Sequence, residues 1–431
     1  MTVVSSSAHE VAGVVVASRL ETALGDPRTD AGLIRFADVV ASEDITRVTP
    51  EVRRAVLDDH GLAFELVPEM WGGAGGGPSE VAAQLRALFR RDAAAGAELG
   101  GLAALAAAGV WTQPAAGLVA RELLSLRPIA VAVEAGEIAS DPQTVAWRVS
   151  GVLPLVAVPL ESRCVVVRRG AAATLIGLDG ALAVVTPRST TGLRGLRFCA
   201  LELRDAPVLA TWNVDPAGDD QAQAMLASAW CGTVDTALRL AVPYARGRAL
   251  YGGAVWDLPH ARGLVAGAFA DLLLADAIAA AALAGRHVSA LELVPTLLGD
   301  AMRALSVLFG STFFARVEPY ELVETLVRDV TSMRLISTPR HRMSTATPGD
   351  GVELFEEAAE SLEKAAAGAP APLRRAVRDR LAARRAGRRD ALQADAIEHL
   401  ATEVDRRAAA DTSLTFDNSG VFASRTERTT T

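Results

Sequence analysis

The order in which helical and strand-like stretches follow one another limits the possible folds of this chain more than any other feature. In the first 125 residues, apolar positions recur every three or four residues, as in amphipathic helices. From Arg127 to Val214 the pattern changes to six short runs of β type, with no helical segment between them. Strands that succeed one another without intervening helices predict an antiparallel barrel or sandwich.

Long helical segments return after residue 220. The apolar spacing predicts helices at about 221–250, 259–286, 290–312 and 319–336, and long helices with short connections are typical of an antiparallel bundle. We therefore predict an α+β chain, mostly α. Its predicted parts are an N-terminal helical domain at 1–126, a β domain at 127–215, a four-helix bundle at 216–336, a charged helical extension at 337–410 and a disordered tail at 411–431.

Composition and charge exclude several classes of protein. Half of the 431 residues are hydrophobic, so the chain can bury a core and is not a disordered protein. The formal net charge of −8 argues against bulk nucleic-acid binding, because neutralising phosphates needs clustered cations. Cys164, Cys199 and Cys231 are too few and too scattered for a disulfide framework or a zinc site, and we expect no metal. Lys364 is the one lysine, and its charged surroundings argue against lysine chemistry.

The most membrane-like segment is 264–285, which is long enough to span a bilayer. Asp271 and Asp276 interrupt it and no aromatic belt flanks it, so we predict a helix buried in the bundle core and no membrane span. Residues 1–12 have no cationic region leading into an apolar run, which argues against a secretory signal. We expect a cytoplasmic protein.

Eight arginines lie between Arg374 and Arg389. Such a run could contact nucleic acid or an acidic partner such as a carrier protein. Leu373, Val377 and Leu381 are four residues apart, however, and favour a solvated helix that packs by this apolar stripe.

Four segments resemble motifs of the acyl-CoA dehydrogenases, and they occur in that family's order. They are the glycine-rich loop at 61–73 (Gly-Leu, then Val-Pro-Glu-Met-Trp-Gly-Gly), the strand at 195–208 (Gly-Leu-Arg, then Leu-Glu-Leu-Arg-Asp-Ala-Pro-Val), the helix and its end at 232–252 (Tyr-Ala, then Arg, then Tyr-Gly), and the pair Arg328-Asp329. The resemblance covers about residues 30–336. It implies a helical domain, a small β domain and a four-helix bundle.

Members of that family bind FAD and oxidise acyl-CoA thioesters to enoyl-CoA. A carboxylate removes the α-proton, and the flavin accepts a hydride from the β-carbon. By resemblance, this chain is a flavoprotein that acts on the CH–CH group of an acyl-CoA or acyl-carrier-protein thioester. The two positions at which the family carries its base hold Ser337 and Ala222 here. Asp219 and Asp220 are the nearest carboxylates, and both are also suited to the N-terminal turn of a helix.

The resemblance also assigns contacts to FAD. It places Arg248, Tyr251 and Gly252 beside the cofactor of a neighbouring subunit, and Glu134, Gly136 and Ser140 beside the cofactor bound by the same chain. Three other positions depart from the family. Val133 replaces a hydroxyl, segment 153–158 lacks the aromatic ring and hydroxyl expected beside the flavin, and 313–316 replaces a glycine-rich loop with large side chains.

Three functions are compatible with these residues. The first is an acyl-CoA dehydrogenase-like enzyme that lacks the usual glutamate. The second is a non-catalytic subunit, or pseudoenzyme, that assembles with an active paralogue. The third is a flavin-dependent monooxygenase on the same fold, which would not need the glutamate. In each case we expect an oligomer, either a homodimer or tetramer or a hetero-oligomer with a paralogue.

Overall fold

The computed structural model describes residues 6–41, 48–140, 147–159, 161–178, 183–315, 320–337, 351–388 and 392–416. A helical domain, a small β-barrel, a helical bundle and a helical extension follow one another along the chain. The strands form one core with their own side chains, around Leu153, Val156 and Leu201. A second, larger core runs through the helices and reaches one outer face of the barrel, where it includes Cys164 and Val166.

The first part of the chain is helical. Its α-helices are α1 (Ser6–Leu24), α2 (Phe36–Ala41), α3 (Pro50–Arg53), α4 (Leu62–Leu66), α5 (Pro78–Phe89), α6 (Ala93–Gly96), α7 (Leu102–Ala107) and α8 (Ala116–Leu124), with π-helical turns at Arg54–Asp59 and Ala97–Gly101. Helix α5 begins where the sequence predicts, because Pro78 occupies the first helical position and Glu80 accepts a hydrogen bond from the Gly77 backbone.

The β domain closes into a barrel. Its strands are β1 (Ala130–Glu134), β2 (Glu137–Ser140), β3 (Arg148–Ala157), β4 (Cys164–Arg169), β5 (Ala172–Gly177), β6 (Ala183–Arg188) and β7 (Phe198–Asn213). They lie in the order β2-β3-β1-β4-β5-β7-β6, and an additional β3–β7 pairing closes the ring. The predicted antiparallel barrel is confirmed with one exception, because β1 and β4 pair in parallel.

Strand β7 contains a bend that the sequence analysis interprets as a turn. The segment from Asp205 to Pro207 does not end the strand, which runs 16 residues from Phe198 to Asn213. Asp205 has a left-handed backbone (φ 53°), and its N–H donates to Ser150 Oγ at 2.8 Å. Before the bend β7 pairs with β6, and beyond it with β5, so the bend closes the barrel.

The bundle consists of α9 (Pro216–Gly247), α10 (Pro259–Leu283), α11 (Val294–Phe309) and α13 (Leu322–Thr331), with the short α12 (Thr312–Ala315) between the last two. A small hairpin of β8 (Ala249–Leu250) and β9 (Gly253–Ala254) follows α9. In this part of the chain 3-10 turns lie at Val255–Asp257, Val288–Leu293 and Met333–Ile336, and another lies in the N-terminal domain at Glu69–Trp71. Helix α10 is the one described helix long and apolar enough to cross a membrane. Because 89% of its most apolar window is buried, it is the predicted core helix of the bundle.

The C-terminal extension differs from the prediction in two ways. The apolar spacing predicts charged helices at about 352–366 and 371–409. The extension forms α14 (Gly351–Ala365), α15 (Ala371–Arg385) and α16 (Ala394–Ala409), so the second predicted helix is two helices. Arg380 and Arg384 of the arginine-rich run are not solvated. Both bind Asp271 of α10, so this part of the run attaches the extension to the bundle.

Part of the predicted disordered tail is ordered. Residues 411–416 pack against the bundle, and Leu414 and Thr415 are fully buried. Buried partners for polar backbone groups explain the packing, since Asp235 and Asp276 accept hydrogen bonds from the Leu414 and Phe416 N–H groups. The remainder of the predicted tail, 417–431, lies outside the described residues.

Candidate functional site

The two positions at which the resemblance places a catalytic base contain no carboxylate. Ala222 is buried inside α9. Ser337 follows the 3-10 turn Met333–Ile336, is 5% exposed, and donates its hydroxyl to the Arg334 carbonyl at 2.8 Å. A serine hydroxyl does not accept a proton from carbon without a base beside it, so neither position supplies general-base catalysis alone.

Asp219, one of the two carboxylates nearest to Ala222 in the sequence, is committed to an ion pair. It lies in the first turn of α9, is 5% exposed, and binds the Arg168 guanidinium of β4. A second nitrogen of Arg168 donates to the Ala108 carbonyl at 2.8 Å. The arginine on β4 therefore contacts both the helical domain and the bundle. The ion pair holds the Asp219 carboxylate against β4, and a carboxylate that left it would leave the buried guanidinium without its counter-charge.

Asp219 lies in the first turn of α9, as the sequence predicts, but neither Asp219 nor Asp220 caps the helix. The helix begins five residues earlier than expected, at Pro216, and its N-cap is Asp215, whose side chain accepts from the Ala217 N–H at 3.3 Å. Asp219 is therefore a first-turn residue inside the helix, where a carboxylate is favoured by the helix dipole, and Asp220 follows it. Asp220 is half-buried.

Sequence reasoning missed Arg168, although a signal for it exists. Alternate residues of a strand point to opposite faces. Val165 and Val167 point into the barrel core, whereas Cys164 and Val166 belong to the core shared with the helices. Arg168 is on the same face of β4 as Cys164 and Val166, so its guanidinium points toward the helices. A buried guanidinium there requires a carboxylate partner.

The β-domain residues that the resemblance assigns to FAD lie around the β1–β2 connection. Glu134 is exposed at the end of β1, and Ser140 pairs with Val149 at the end of β2. Gly136 has a left-handed backbone (φ 56°), and a Cβ there would come within 2.0 Å of the Val152 carbonyl oxygen. The protein's own backbone therefore requires glycine at this position, whether or not a cofactor approaches it.

The residues of this region do not fit a flavin bound by the chain itself. Val133 is 7% exposed, and its side chain offers no hydrogen-bonding group where the family has a hydroxyl. On β3, Leu153 and Val156 are fully buried in the barrel interior. A flavin ring needs a few placed polar groups to fix its edges. At positions 133, 153 and 156 the side chains are apolar and buried instead.

The residues expected to face a neighbouring subunit lie together at the end of α9. Arg248 follows the helix, and Tyr251 and Gly252 form the turn of the β8–β9 hairpin. The Arg248 guanidinium lies 5.7 Å from the ring centroid of Tyr244 and donates to Thr312 Oγ1 at 3.3 Å. Tyr251 is 90% exposed despite its left-handed backbone (φ 53°).

The structure brings Arg248 next to the segment that replaces the family's glycine-rich loop. Thr312 begins the short helix α12, in which Phe313 and Phe314 make an edge-to-face contact with centroids 5.0 Å apart. Phe314 is 81% exposed and Val307 of α11 is 57% exposed, so this end of the bundle presents apolar side chains to solvent. Of the four residues expected at 313–316, Arg316 lies outside the described residues.

The Arg328-Asp329 pair joins the bundle to the β domain. Asp329 is 3% exposed and accepts a hydrogen bond from the Leu193 N–H at 2.6 Å. A Cβ on Gly192 would come within 2.2 Å of the Arg328 carbonyl oxygen, so the loop before β7 and helix α13 are in close contact. This pair positions the β domain on the bundle.

A cavity of about 440 Å³ lies elsewhere, between α8 and the outer face of the barrel. It is lined by Glu122, Arg163, Cys164, Gly177, Leu178, Pro207 and Leu209. None of these residues is assigned to FAD or to catalysis by the resemblance. Burial, with a contribution from Glu122, raises the pKa of Cys164 to about 12, so this thiol stays protonated. Among the described residues, no group of three His, Cys, Asp or Glu side chains could hold a metal ion.

Comparisons with known proteins find the fold but no sequence family. No protein-family model matches the chain, and no curated protein does. Butyryl-CoA dehydrogenase from Megasphaera elsdenii matches with a TM-score of 0.61 and 15% identity, over 78% of this chain and 96% of that enzyme. An acyl-CoA dehydrogenase from Bacillus anthracis, complexed with FAD, matches with a TM-score of 0.61 and 13% identity, over 94% of this chain and 79% of that chain.

A third match is the ChsE4–ChsE5 complex from Mycobacterium tuberculosis, with a TM-score of 0.59 and 21% identity, over 79% of this chain and 96% of that chain. At these identities the matches establish the fold and do not transfer an activity. They agree with the order of domains and with the four motifs in the sequence. This chain therefore has the acyl-CoA dehydrogenase fold, in a divergent form.

Proposed function

We propose that this chain is a non-catalytic subunit of acyl-CoA dehydrogenase fold, which assembles with a catalytically active chain of the same fold. The active chain would oxidise an acyl-CoA or acyl-carrier-protein thioester with FAD. This chain would contribute surface and contacts at the shared interface. Its own base and flavin-binding residues would not be used.

The observation that carries this proposal is the buried Arg168–Asp219 pair. The family's base positions hold Ala222 and Ser337, and Asp219 and Asp220 are the carboxylates nearest to Ala222 in the sequence. The ion pair with Arg168 fixes the Asp219 side chain toward β4. With Asp219 held by Arg168, neither this residue nor the two base positions supply a free carboxylate to remove an α-proton.

The exposed end of the bundle supports assembly with another chain. Tyr251 and Phe314 expose large aromatic side chains, and Arg248 lies beside them. The left-handed backbone of Tyr251 belongs to the two-residue turn of the β8–β9 hairpin, which presents the ring to solvent. Aromatic residues and arginine are the types enriched at protein interfaces. A partner with the same fold is further supported by the match to a complex of two such chains, ChsE4–ChsE5.

The alternative is that the chain is itself a flavoenzyme that works as a homo-oligomer. Arg248 favours it, since the guanidinium makes one hydrogen bond within the described residues, to Thr312, and keeps donors for a phosphate group on a second copy. Val133 argues against a flavoenzyme, because its buried apolar side chain stands where the family has a hydroxyl beside FAD.

The amount of bound FAD distinguishes a non-catalytic subunit from a homo-oligomeric flavoenzyme. The chain should be purified alone and after co-expression with acyl-CoA dehydrogenase-fold chains encoded by the same genome, with size and bound FAD measured for each preparation. We expect no stoichiometric FAD on the chain alone, and a hetero-oligomer that contains FAD with one partner. Tyr251→Ala and Phe314→Ala should weaken that hetero-oligomer, whereas Val185→Ala, at an exposed site on β6, should not. A partner that assembles equally well with all three variants would contradict the proposed interface.

A further inference from the structure

The six residues after α16 lie in a groove between the helical domain and the bundle. This strap, residues 411–416, has no helical structure, and Ser413, Leu414 and Thr415 are at most 2% exposed. Polar side chains of α5, α9 and α10 form the groove. Asp411 has a left-handed backbone (φ 48°) and turns the chain out of α16 into the strap.

Two buried carboxylates bind the strap through its backbone. Asp235 of α9 accepts from the Leu414 N–H at 3.1 Å, and Asp276 of α10 accepts from the Phe416 N–H at 2.9 Å. Hydrogen bonds to an ionised acceptor are stronger than neutral ones. Every residue except proline has this N–H group, so the carboxylates fix the register and direction of a bound segment whatever its side chains are.

Among the described residues, four arginines contact side chains of the strap: Arg28 contacts Asp411 at 3.4 Å, Arg90 donates to Ser413 Oγ at 3.5 Å, and Arg86 and Arg239 make the contacts below. Arg239 binds the Thr412 carbonyl and donates to Asp411 Oδ1 at 3.2 Å, and Arg86 donates to Thr415 Oγ1 at 3.0 Å. The Leu414 side chain is fully buried in the helical core. The groove thus fits a peptide with a carboxylate, a buried leucine and a hydroxyl at these spacings.

The groove is also held in shape by contacts that do not involve the strap. Arg86 forms an ion pair with Asp276 and donates to Ser228 Oγ at 2.8 Å and to the Ser228 carbonyl at 3.1 Å. Arg239 forms an ion pair with Asp235. Because these side chains are fixed already, binding a peptide orders few additional groups on the protein side.

We propose that residues 411–416 are a displaceable peptide ligand, and that the groove of α5, α9 and α10 is a peptide-binding site filled by the chain's own C-terminal strap. The site is independent of the proposed function. Its occupant is the cis segment, held at high effective concentration by its covalent connection to α16.

The test uses the full chain and a labelled synthetic peptide of residues 409–418. The wild-type chain should not bind the peptide, because the strap competes at an effective concentration on the order of millimolar. The full-length Leu414→Ala variant should release its strap and bind one peptide per chain. A peptide with the same Leu414→Ala change should bind about tenfold more weakly or worse. The full-length Leu209→Ala variant, altered at an exposed leucine on β7, should behave as wild type.

Hydrogen exchange of the wild-type chain provides a test that needs no variant. A displaceable strap opens on its own, so the Leu414 and Phe416 amides should exchange about tenfold faster than core amides of α10, or more. Equal exchange would overturn the proposal, because the strap would then open only when the chain unfolds. Equal peptide binding by the wild-type and Leu414→Ala chains would also overturn it. So would a Leu414→Ala chain whose strap amides exchange faster than in wild type but which binds no peptide.

Discussion

Arg168 on strand β4 and Asp219 in the first turn of α9 form a buried ion pair, with side chains 4% and 8% exposed. The two residues are 51 positions apart and belong to different folded parts, so the pair fixes the barrel against the bundle. It also holds one of the two carboxylates nearest to Ala222 in the sequence. One contact therefore bears on both the stability and the function of the chain.

Breaking this pair should destabilise the protein. Asp219→Asn leaves the Arg168 guanidinium buried without a counter-charge, which costs about 3–5 kcal/mol of unfolding free energy. Asp220→Asn, at the half-buried neighbour, should cost about 1 kcal/mol or less. Adding Arg168→Met to Asp219→Asn removes both charges and should restore much of the loss. Chemical denaturation gives the unfolding free energy of the wild type and of the three variants. Equal losses for Asp219→Asn and Asp220→Asn would contradict the role of the pair.

Gly136 should be required by the protein's own backbone rather than by a cofactor. Gly136 and Gly170 have nearly the same backbone, with φ of 56° and 57°, but a Cβ on Gly170 would meet nothing within 4 Å. Gly170→Ala should therefore cost about 1–2 kcal/mol, from the left-handed conformation alone. Gly136→Ala should cost about 1–3 kcal/mol more, because its Cβ would overlap the Val152 carbonyl. Thermal unfolding without added FAD tests this, and equal destabilisation of the two variants would refute it.

Acid should loosen the attachment of the C-terminal extension. Burial alone would raise the pKa of Asp300, but hydrogen bonds from Arg384 and Arg303 outweigh it and hold the pKa below its ordinary value. A carboxylate with a depressed pKa stabilises the fold above its unfolded-state pKa, and this stabilisation is lost as the pH falls through the folded-state pKa. We therefore expect the wild-type chain to lose stability below about pH 4.

The Asp300→Asn variant isolates this effect. It should be less stable than wild type at neutral pH, and its stability should fall less on acidification, because the titrating group is gone. Asp205→Asn alters an exposed ion pair with Arg148 and should follow the wild-type pH dependence. Unfolding free energies at neutral and acidic pH measure both. Parallel pH dependence of Asp300→Asn and wild type would show that Asp300 does not contribute.

The three thiols should be unreactive in the native protein. All three cysteines are buried, and burial raises the pKa of Cys164 to about 12 and raises that of Cys199 as well. The thiolate is the reactive form, so a chromogenic disulfide reagent at mildly alkaline pH should label none of them until denaturant is added. Three thiols should then react. Rapid labelling of Cys164 in the native chain would contradict its buried environment.

The sequence predicts the architecture well because hydrophobic period and element order are local properties. The change of pattern at Arg127 and the apolar run of 264–285 correspond to the barrel and to the core helix α10. Features that depend on contacts distant in the chain are not predicted. Asp205 to Pro207 has the composition of a turn, but pairing with neighbouring strands keeps the segment in β7.

The same limit applies to the candidate site. The replacement of the base by Ser337 and Ala222 can be seen from residue counting alone. The commitment of Asp219 to Arg168 cannot, because it depends on how the barrel packs on the bundle. The sequence also does not predict that residues 411–416 are ordered, for a similar reason. Their polar composition is typical of a disordered tail, whereas the partners that hold them, such as Asp235 and Asp276, are distant in the chain.

The absorbance spectrum of the purified chain, recorded alone and after incubation with excess FAD and removal of the unbound cofactor, tests the central claim most directly. If the chain is a non-catalytic subunit, it should be folded and show no stoichiometric flavin bands in either preparation. Stoichiometric flavin that an acyl-CoA reduces would contradict the account, and would show that this chain runs the reaction itself.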